Sequence, residues 1–230
     1  MKHFILVLSI SFISLSLFAQ TKEFENQLYF GVGGGAYASS VDFVPSIPQN
    51  QKTDFFGGIS AKYITQKNLG LIIEANYSRR GWQEEYDEES EFSFQRTLNY
   101  IEVPFMTHIY FGNTTRFIIN LGPQISYLLS DTQDMSNALA TDVAERKALD
   151  PDAPIGVQYG SFDQLNKIDY GIVGGLGLEV QTGIGAFDLE GRYYFGLGDV
   201  FESRRSKEAY FGRSAHRIFE AKLTYYIKIK

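Results

Sequence analysis

Apolar and polar residues alternate along eight segments of this chain, and this two-residue period limits its fold more than any other feature. The clearest segment covers 217–230. Its odd positions from Phe219 to Ile229 are apolar, whereas the even positions from Glu220 to Lys228 are mostly charged or polar. Successive side chains of a β-strand point to opposite faces, so such a segment predicts a strand with one apolar and one polar face.

Seven further segments show the same alternation, at about 27–39, 54–65, 69–80, 96–111, 116–129, 167–181 and 186–197. The chain of 230 residues holds 15 Tyr, 19 Phe and 22 Gly, a composition that favours many strands joined by turns. The absence of Cys excludes disulfides and thiol-based catalytic or metal sites. A formal charge of -6 argues against nucleic acid as a partner.

The connections between these strands alternate in length. The long ones are predicted at about 40–53, 81–95, 130–166 and 198–215, and the short ones at 66–68, 112–115 and 182–185. An even number of antiparallel strands with short turns at one end and long loops at the other is typical of outer-membrane barrels. Residues 20–230 are therefore predicted to form an all-β, eight-stranded, antiparallel up-and-down transmembrane β-barrel, with short periplasmic turns and long extracellular loops.

The first 19 residues have the pattern of a secretory signal peptide. Lys2 precedes an apolar run from Phe4 to Phe18, and the small residue Ala19 ends it. The run is too short for a membrane-spanning helix, which needs about 20 apolar residues. We therefore expect export and residence in the cell outer membrane, with outer-membrane lipid and the barrel-assembly machinery as partners.

A soluble lipocalin-like barrel or β-sandwich would show the same alternation with its faces reversed, apolar inside and charged outside. The polar faces, however, carry charges of both signs, whereas the apolar faces carry large aliphatic residues with Tyr and Phe towards the strand ends. This distribution favours lipid contact outside and a network of paired charges inside. The predicted interior charge network comprises Lys62, Glu74, Glu102, Asp169, Glu179, Asp188, Glu190, Arg192, Glu220 and Lys222.

Three functions fit such a barrel. The leading interpretation is a non-enzymatic structural or accessory protein that binds partners, among them other envelope proteins, through its loops. The second is a narrow pathway for ions or small solutes, lined by the interior charges. The third is a barrel-embedded lipid-modifying or proteolytic enzyme that uses Glu102, Glu190 and His108. No catalytic set, metal site or cofactor is predicted, because His108 and His216 are expected at opposite ends of the barrel.

Two charged loops are candidates for binding. The second long loop carries the acidic residues Glu84, Glu85, Asp87, Glu88 and Glu89, and the fourth carries the basic residues Arg204 and Arg205. These charges could keep the cell-facing surface hydrated or pair across the barrel mouth. Alternatively, the acidic run could bind a divalent cation and the basic loop could contact lipid-A phosphates.

The third long loop contains a segment of good helix formers, from Ser136 to Leu149, that ends before Asp150-Pro151. Leu139, Val143 and Ala144 share one side of this segment. A short helix that lies over the barrel mouth as a lid is the favoured interpretation, and docking onto a partner is the alternative.

Four motifs resemble those of the PorT-like outer-membrane β-barrel proteins of the Bacteroidota. They are Tyr100-Ile101-Glu102-Val103-Pro104, Leu121-Gly122-Pro123-Gln124, Asp169-Tyr170-Gly171 with Gly174-Gly175-Leu176-Gly177-Leu178-Glu179, and Arg192-Tyr193-Tyr194-Phe195-Gly196-Leu197. The resemblance covers the whole mature chain and implies an outer-membrane barrel. It also implies a connection to secretion, because the named member of that family serves the type IX system.

Overall fold

The computed structural model describes residues 24–149, 165–202 and 211–229. The predicted signal peptide at 1–19 lies outside the described residues. Within the ranges that are described, no helix is long and apolar enough to cross a membrane.

Nine strands and one helix make up the described chain. The strands are β1 Gln27–Val44, β2 Gln49–Asn50, β3 Lys52–Gln66, β4 Leu69–Glu84, β5 Phe94–Gly112, β6 Thr115–Met135, β7 Ile168–Thr182, β8 Gly185–Gly196 and β9 Arg213–Lys228; the helix is α1 Asn137–Leu149. Each long strand from β1 to β8 forms antiparallel hydrogen bonds with the long strand that follows it in the chain. The two-residue β2 is not part of this series.

The last strand closes the sheet on the first. β9 pairs with β1 over its whole length, from Tyr29 opposite Lys228 to Val44 opposite Arg213. Within the described residues each of the eight long strands pairs on both sides, and this closed ring confirms the predicted up-and-down barrel. The short turns between β3 and β4, β5 and β6, and β7 and β8 lie at the end where β1 begins and β9 finishes.

The middle of the barrel presents apolar side chains outward and polar side chains inward. On β6, Phe117, Leu121 and Ile125 are exposed, whereas Asn120 and Gln124 between them are buried. The outward apolar side chains form a continuous belt, the apolar belt, which on β6 spans 117–129. For a strand tilted by about 40°, twelve residues rise about 30 Å, the thickness of a bilayer core.

Aromatic side chains mark both edges of this belt. Those near the short turns are Phe30, Tyr63, Phe111, Phe117 and Phe187, and those towards the long loops are Tyr77, Tyr127, Tyr170 and Phe195. Aromatic rings are typical of the two interfaces between membrane and water, so their positions indicate that the belt faces lipid.

Several strands run further than the sequence predicted. β1 continues to Val44, β4 to Glu84 and β6 to Met135. β3 already begins at Lys52 and β5 at Phe94. All five ends lie inside segments that the sequence predicts as loops. The prediction ended these strands too early because it followed outward apolar residues, which stop where the apolar belt stops.

Above the belt the two faces exchange polarity while the alternation continues. Phe43 and Trp82 point inward and are buried, whereas Asp42 and Gln83 beside them are more exposed. This exchange marks the level at which the surroundings of the barrel change from lipid to water, because an extension in water buries its apolar face inside.

The inward apolar residues of this extension form a cluster that we call the cap. It comprises Val41, Phe43, Ile47, Trp82, Phe94, Leu98, Tyr100, Leu128, Leu139, Val200, Phe201 and Phe211. The rings of Phe43 and Phe201 lie 5.2 and 5.9 Å from the Trp82 ring, centroid to centroid.

Helix α1 lies over the cap and contributes to it. Its Leu139 is fully buried, and Val143 one turn later packs against the same cluster. The hydroxyl of Ser136 accepts a hydrogen bond from the backbone N–H of Leu139 at 3.3 Å and so caps the helix N-terminus. The backbone N–H of Ser136 donates to the Ser93 carbonyl at 3.0 Å, which anchors the helix to the chain just before β5. The position of α1 is that of a lid.

Candidate functional site

The inside of the apolar belt is filled by charged side chains in three layers, which we call the interior network. The structure places all ten residues of the predicted network inside the barrel and buries every one of them. It adds two arginines, Arg80 and Arg116, that the predicted set lacked although they lie on the polar faces of β4 and β6.

The first layer lies near the short turns. The ammonium group of Lys62 binds the carboxylates of Glu179 and Asp188, the latter at 3.2 Å. Arg116 approaches the other oxygen of Glu179 at 2.8 Å. Lys62 also lies 3.9 Å from the centre of the Tyr226 ring, so its charge is satisfied on several sides.

The middle layer is centred on Glu74. The guanidinium of Arg192 donates two parallel hydrogen bonds to the Glu74 carboxylate, both at 2.9 Å. Lys222 Nζ lies 2.5 Å from the same carboxylate, and Arg192 reaches on to Glu190 at 2.7 Å. Bidentate arginine–carboxylate pairs hold both side chains in one geometry, so this layer is rigid. Glu220 faces Arg192 in register across β8 and β9, but it makes no ion pair within 4 Å among the described residues.

The third layer is organised by Arg80, which is completely buried. Its Nε donates to Glu102 at 2.6 Å and its Nη1 to Asp169 at 2.7 Å. The guanidinium also lies between the rings of Tyr100 and Tyr194, at 4.9 and 4.8 Å from their centres. Arg80 thus compensates two carboxylates at once. One feature of the sequence indicates this role, since Arg80 continues the polar face of β4 that Glu74 begins.

The side chains proposed for catalysis do not form one site. His108 contacts Asn120 at 2.7 Å, and Asn120 donates to Glu190 at 2.9 Å, which joins these three residues in a chain. Glu102 belongs instead to the Arg80 layer, towards the other end of the barrel. The ring of His216 meets the Tyr100 ring edge to face, with 5.7 Å between the centroids, at the cap side, so the two histidines lie at opposite ends of the interior.

The interior network holds more acidic than basic groups. Five cations face seven carboxylates, namely Lys62, Arg80, Arg116, Arg192 and Lys222 against Glu74, Glu102, Asp169, Glu179, Asp188, Glu190 and Glu220. With every group ionised the interior would carry a formal charge of -2. An ion pathway through this network would therefore select cations.

The acidic run of the second long connection is divided by the structure. Glu84 is the last residue of β4 and is buried with 4% of its surface exposed, whereas Glu85, Asp87, Glu88 and Glu89 are exposed. The sequence placed Glu84 in the loop, but the alternation of β4 carries it inward. Among the described residues no group of three or more His, Asp or Glu side chains is arranged to hold a metal ion. Arg204 and Arg205 lie outside the described residues.

Glu84 is a buried acid above the apolar belt. One of its oxygens accepts a hydrogen bond from the Tyr86 hydroxyl at 2.8 Å. Burial disfavours the ionised carboxylate and raises the pKa of Glu84 to about 8, an effect that hydrogen bonding to Tyr86 and Trp82 opposes but does not cancel.

The closed ring and the apolar belt together describe a barrel that spans a membrane. A family model described as outer membrane protein beta-barrel domain matches residues 18–202. The chain belongs to this family. Membership places the protein in the outer membrane.

Solved structures of similar fold come from outer-membrane proteins of several bacteria. The attachment invasion locus protein Ail of Yersinia pestis is 11% identical, with a TM-score of 0.42 over 86% of this chain and 98% of that one. Neisserial surface protein A is 13% identical, with a TM-score of 0.47 over 90% of this chain and 100% of that one. Outer membrane protein W of E. coli is 12% identical, with a TM-score of 0.43 over 87% of this chain and 98% of that one. No curated protein matches the sequence.

Replacement of Arg80 tests whether the network is a structural necessity. Arg80→Met leaves the carboxylates of Glu102 and Asp169 without their cation, and we expect the free energy of unfolding in lipid vesicles to fall by about 3–5 kcal/mol. Arg79→Met is the matched control: Arg79 points outward, is half exposed and lies 3.7 Å from Asp54, so its loss should cost less than about 1 kcal/mol.

A triple variant separates lost compensation from lost packing. With Glu102→Gln and Asp169→Asn added to Arg80→Met, most of the stability should return. Equal losses for Arg80→Met and Arg79→Met in urea titrations would contradict the assignment.

The stability of the cap should depend on pH through Glu84. The pKa of Glu84 is about 8 in the folded protein and near 4.5 in the unfolded chain, so the folded state holds the proton more tightly between these values. Stability of the cap should therefore fall as pH rises from about 4.5 to about 8.

Trp82 is the single Trp of the chain and lies inside the cap, so its fluorescence during urea titration reports the change. Glu84→Gln should remove the pH dependence, and Glu85→Gln should leave it; an unchanged dependence in Glu84→Gln would refute the assignment.

Proposed function

We propose that this protein is a closed, non-enzymatic barrel that presents a rigid extracellular surface for binding in the outer membrane. The observation that carries this proposal is the continuous filling of the barrel. Three layers of paired charges occupy the interior at the level of the apolar belt, and the cap occupies it above.

The filling supports a closed barrel over a conducting one. Trp82, Arg80, Tyr100, Tyr194 and Tyr226 are among the largest fully buried side chains, and all of them point inward. An eight-stranded barrel has an interior only wide enough for its own side chains. Opening a path would require breaking the bidentate Arg192–Glu74 pair and its neighbouring ion pairs in a water-poor interior, which is costly.

The extracellular end supports a binding role. The acidic run and helix α1 enclose a cavity of about 450 Å³, lined by Pro48, Glu85, Tyr86, Asp87, Ser90, Phe92 and Arg146. The rings of Tyr86 and Phe92 meet at right angles, 6.0 Å apart, and so stiffen one wall. A small cavity with aromatic and charged walls suits a polar ligand or the loop of another envelope protein.

Single-channel recording distinguishes the closed barrel from a narrow pathway. Protein refolded into a planar bilayer should give no conductance steps above background at applied voltages of about 100 mV of either sign. Cation-selective steps that change in a Glu74→Gln variant would instead support the narrow pathway. Because the interior network is tightly paired, urea below the unfolding midpoint should also leave the baseline unchanged.

The resemblance to PorT-like proteins supports a finer proposal, a contribution to protein secretion across the outer membrane. In this role helix α1 and the loops would contact other envelope proteins while the barrel anchors them. Deletion of the gene in its own organism should then lower the amount of secreted protein in the medium. Complementation with a variant in which Glu85, Asp87, Glu88 and Glu89 are all replaced by Ser should fail, although the barrel assembles. Normal secretion in the deletion strain would reject the secretion role and leave the closed barrel untouched.

A further inference from the structure

The apolar belt is not uniform, because one side of it carries a broad groove. The groove has a volume of about 760 Å³ and crosses five neighbouring strands, from β6 through β7, β8 and β9 to β1. Its floor consists of small outward residues, among them Ala36, Gly174, Gly191 and Ala221.

The strand register shows that the floor is continuous. Gly191, Ala221 and Ala36 are direct partners across β8, β9 and β1, so three small residues lie side by side. A β-carbon added to Gly191 would meet no atom within 4 Å, which shows that the space above it is open. Tyr193 and Phe219, whose rings lie 4.6 Å apart, form the wall on the extracellular side.

Two arginines stand directly above this wall. Arg217 is the next outward residue of β9 after Phe219, and its guanidinium lies 3.9 Å from the centre of the Phe195 ring. Arg213 lies on the same strand, four residues before Arg217 and nearer the long loops. Both guanidinium groups bind the single carboxylate of Asp42, at 3.3 Å for Arg213 and 2.9 Å for Arg217.

This arrangement leaves one positive charge in excess. Among the described residues, two guanidinium groups share one carboxylate, and Arg213 keeps 42% of its side chain exposed. The cluster lies beside Phe195, at the aromatic edge of the apolar belt that faces the cell exterior. A cation at that level meets the head groups of the outer leaflet, and arginine binds phosphate through two parallel hydrogen bonds.

We propose that the groove and the two arginines form a binding site for one phosphorylated, multiply acylated glycolipid of the outer leaflet. The acyl chains would lie side by side in the groove, and a phosphate would bind Arg213 and Arg217. Four strand spacings of about 4.8 Å make the groove about 19 Å wide, which exceeds a single acyl chain and suits several. The charge of the arginine cluster complements the phosphate, and the position of the cluster selects the outer leaflet.

The test is native mass spectrometry of the full-length mature barrel released from detergent in the presence of defined lipids. The lipids are diphosphorylated lipid A, the same lipid without its phosphates, phosphatidylglycerol and phosphatidylcholine. We expect one molecule of diphosphorylated lipid A to stay bound, and the dephosphorylated form to show about tenfold lower occupancy, since hydrogen bonds to charged groups are worth at least that factor.

Two variants address the two halves of the site. Arg213→Gln combined with Arg217→Gln removes the charge, and Gly191→Leu fills the groove from a position where the added side chain meets no neighbour. Each should lower the occupancy of lipid A about tenfold, by loss of charge-assisted hydrogen bonds or of apolar contact. The shift in gel migration on heating shows that each variant still folds.

Matched controls come from β4, which lies across the barrel from β8. Arg79→Gln removes an outward arginine that also faces an aspartate, and Ala75→Leu enlarges an outward small residue of the belt. Both should retain lipid A as the unchanged protein does. Equal occupancy in all variants, or equal retention of phosphatidylcholine, would overturn the site and indicate an unspecific lipid shell. Phosphatidylglycerol retained as strongly as lipid A would overturn the assignment to a glycolipid.

Discussion

A bilayer core offers no hydrogen bonds to a peptide chain, and the rest of this structure follows from that constraint. Every strand at the level of the lipid must find partners on both sides, so the sheet closes where β9 meets β1. Since the outward face must then be apolar, the polar face of each strand has to point into the barrel. The narrow interior excludes bulk water, and the charges that enter it must compensate one another.

The interior network meets this requirement with five cations, three of which bind two carboxylates each: Lys62, Arg80 and Arg192. Arg80 binds Glu102 and Asp169, and Arg192 binds Glu74 and Glu190. This arrangement makes the barrel rigid. It also makes the barrel sensitive to substitution, because the loss of one guanidinium leaves two buried carboxylates without their cation. The same filling that supports the fold argues against conduction, so stability and the proposed function have one physical origin.

Above the lipid the constraint is lifted, and the barrel changes character. The strands continue, but their inward residues become apolar and pack around Trp82 under helix α1. This end behaves like a small water-soluble barrel set on a membrane anchor. Its exposed acidic residues Glu85, Asp87, Glu88 and Glu89 give the cell-facing surface charged groups, whereas the outward face of the membrane part is apolar apart from the groove below Arg217.

The sequence by itself determined the membrane part of the fold, because lipid outside and charge inside impose a period of two that can be read from segments such as 116–129. It also placed the ten residues of the predicted network on inward faces, and it indicated the helix from Ser136 onward.

Only the tertiary structure decided which charges meet, since partners such as Lys62 and Glu179 lie on strands far apart in the chain and their contact depends on register. It alone moved Glu84 from the loop to the inward face of β4, because above the lipid the polarity of the two faces reverses and outward hydrophobicity no longer marks a strand. The groove, too, arises from register: Gly191, Ala221 and Ala36 are ordinary small residues until three strands bring them side by side.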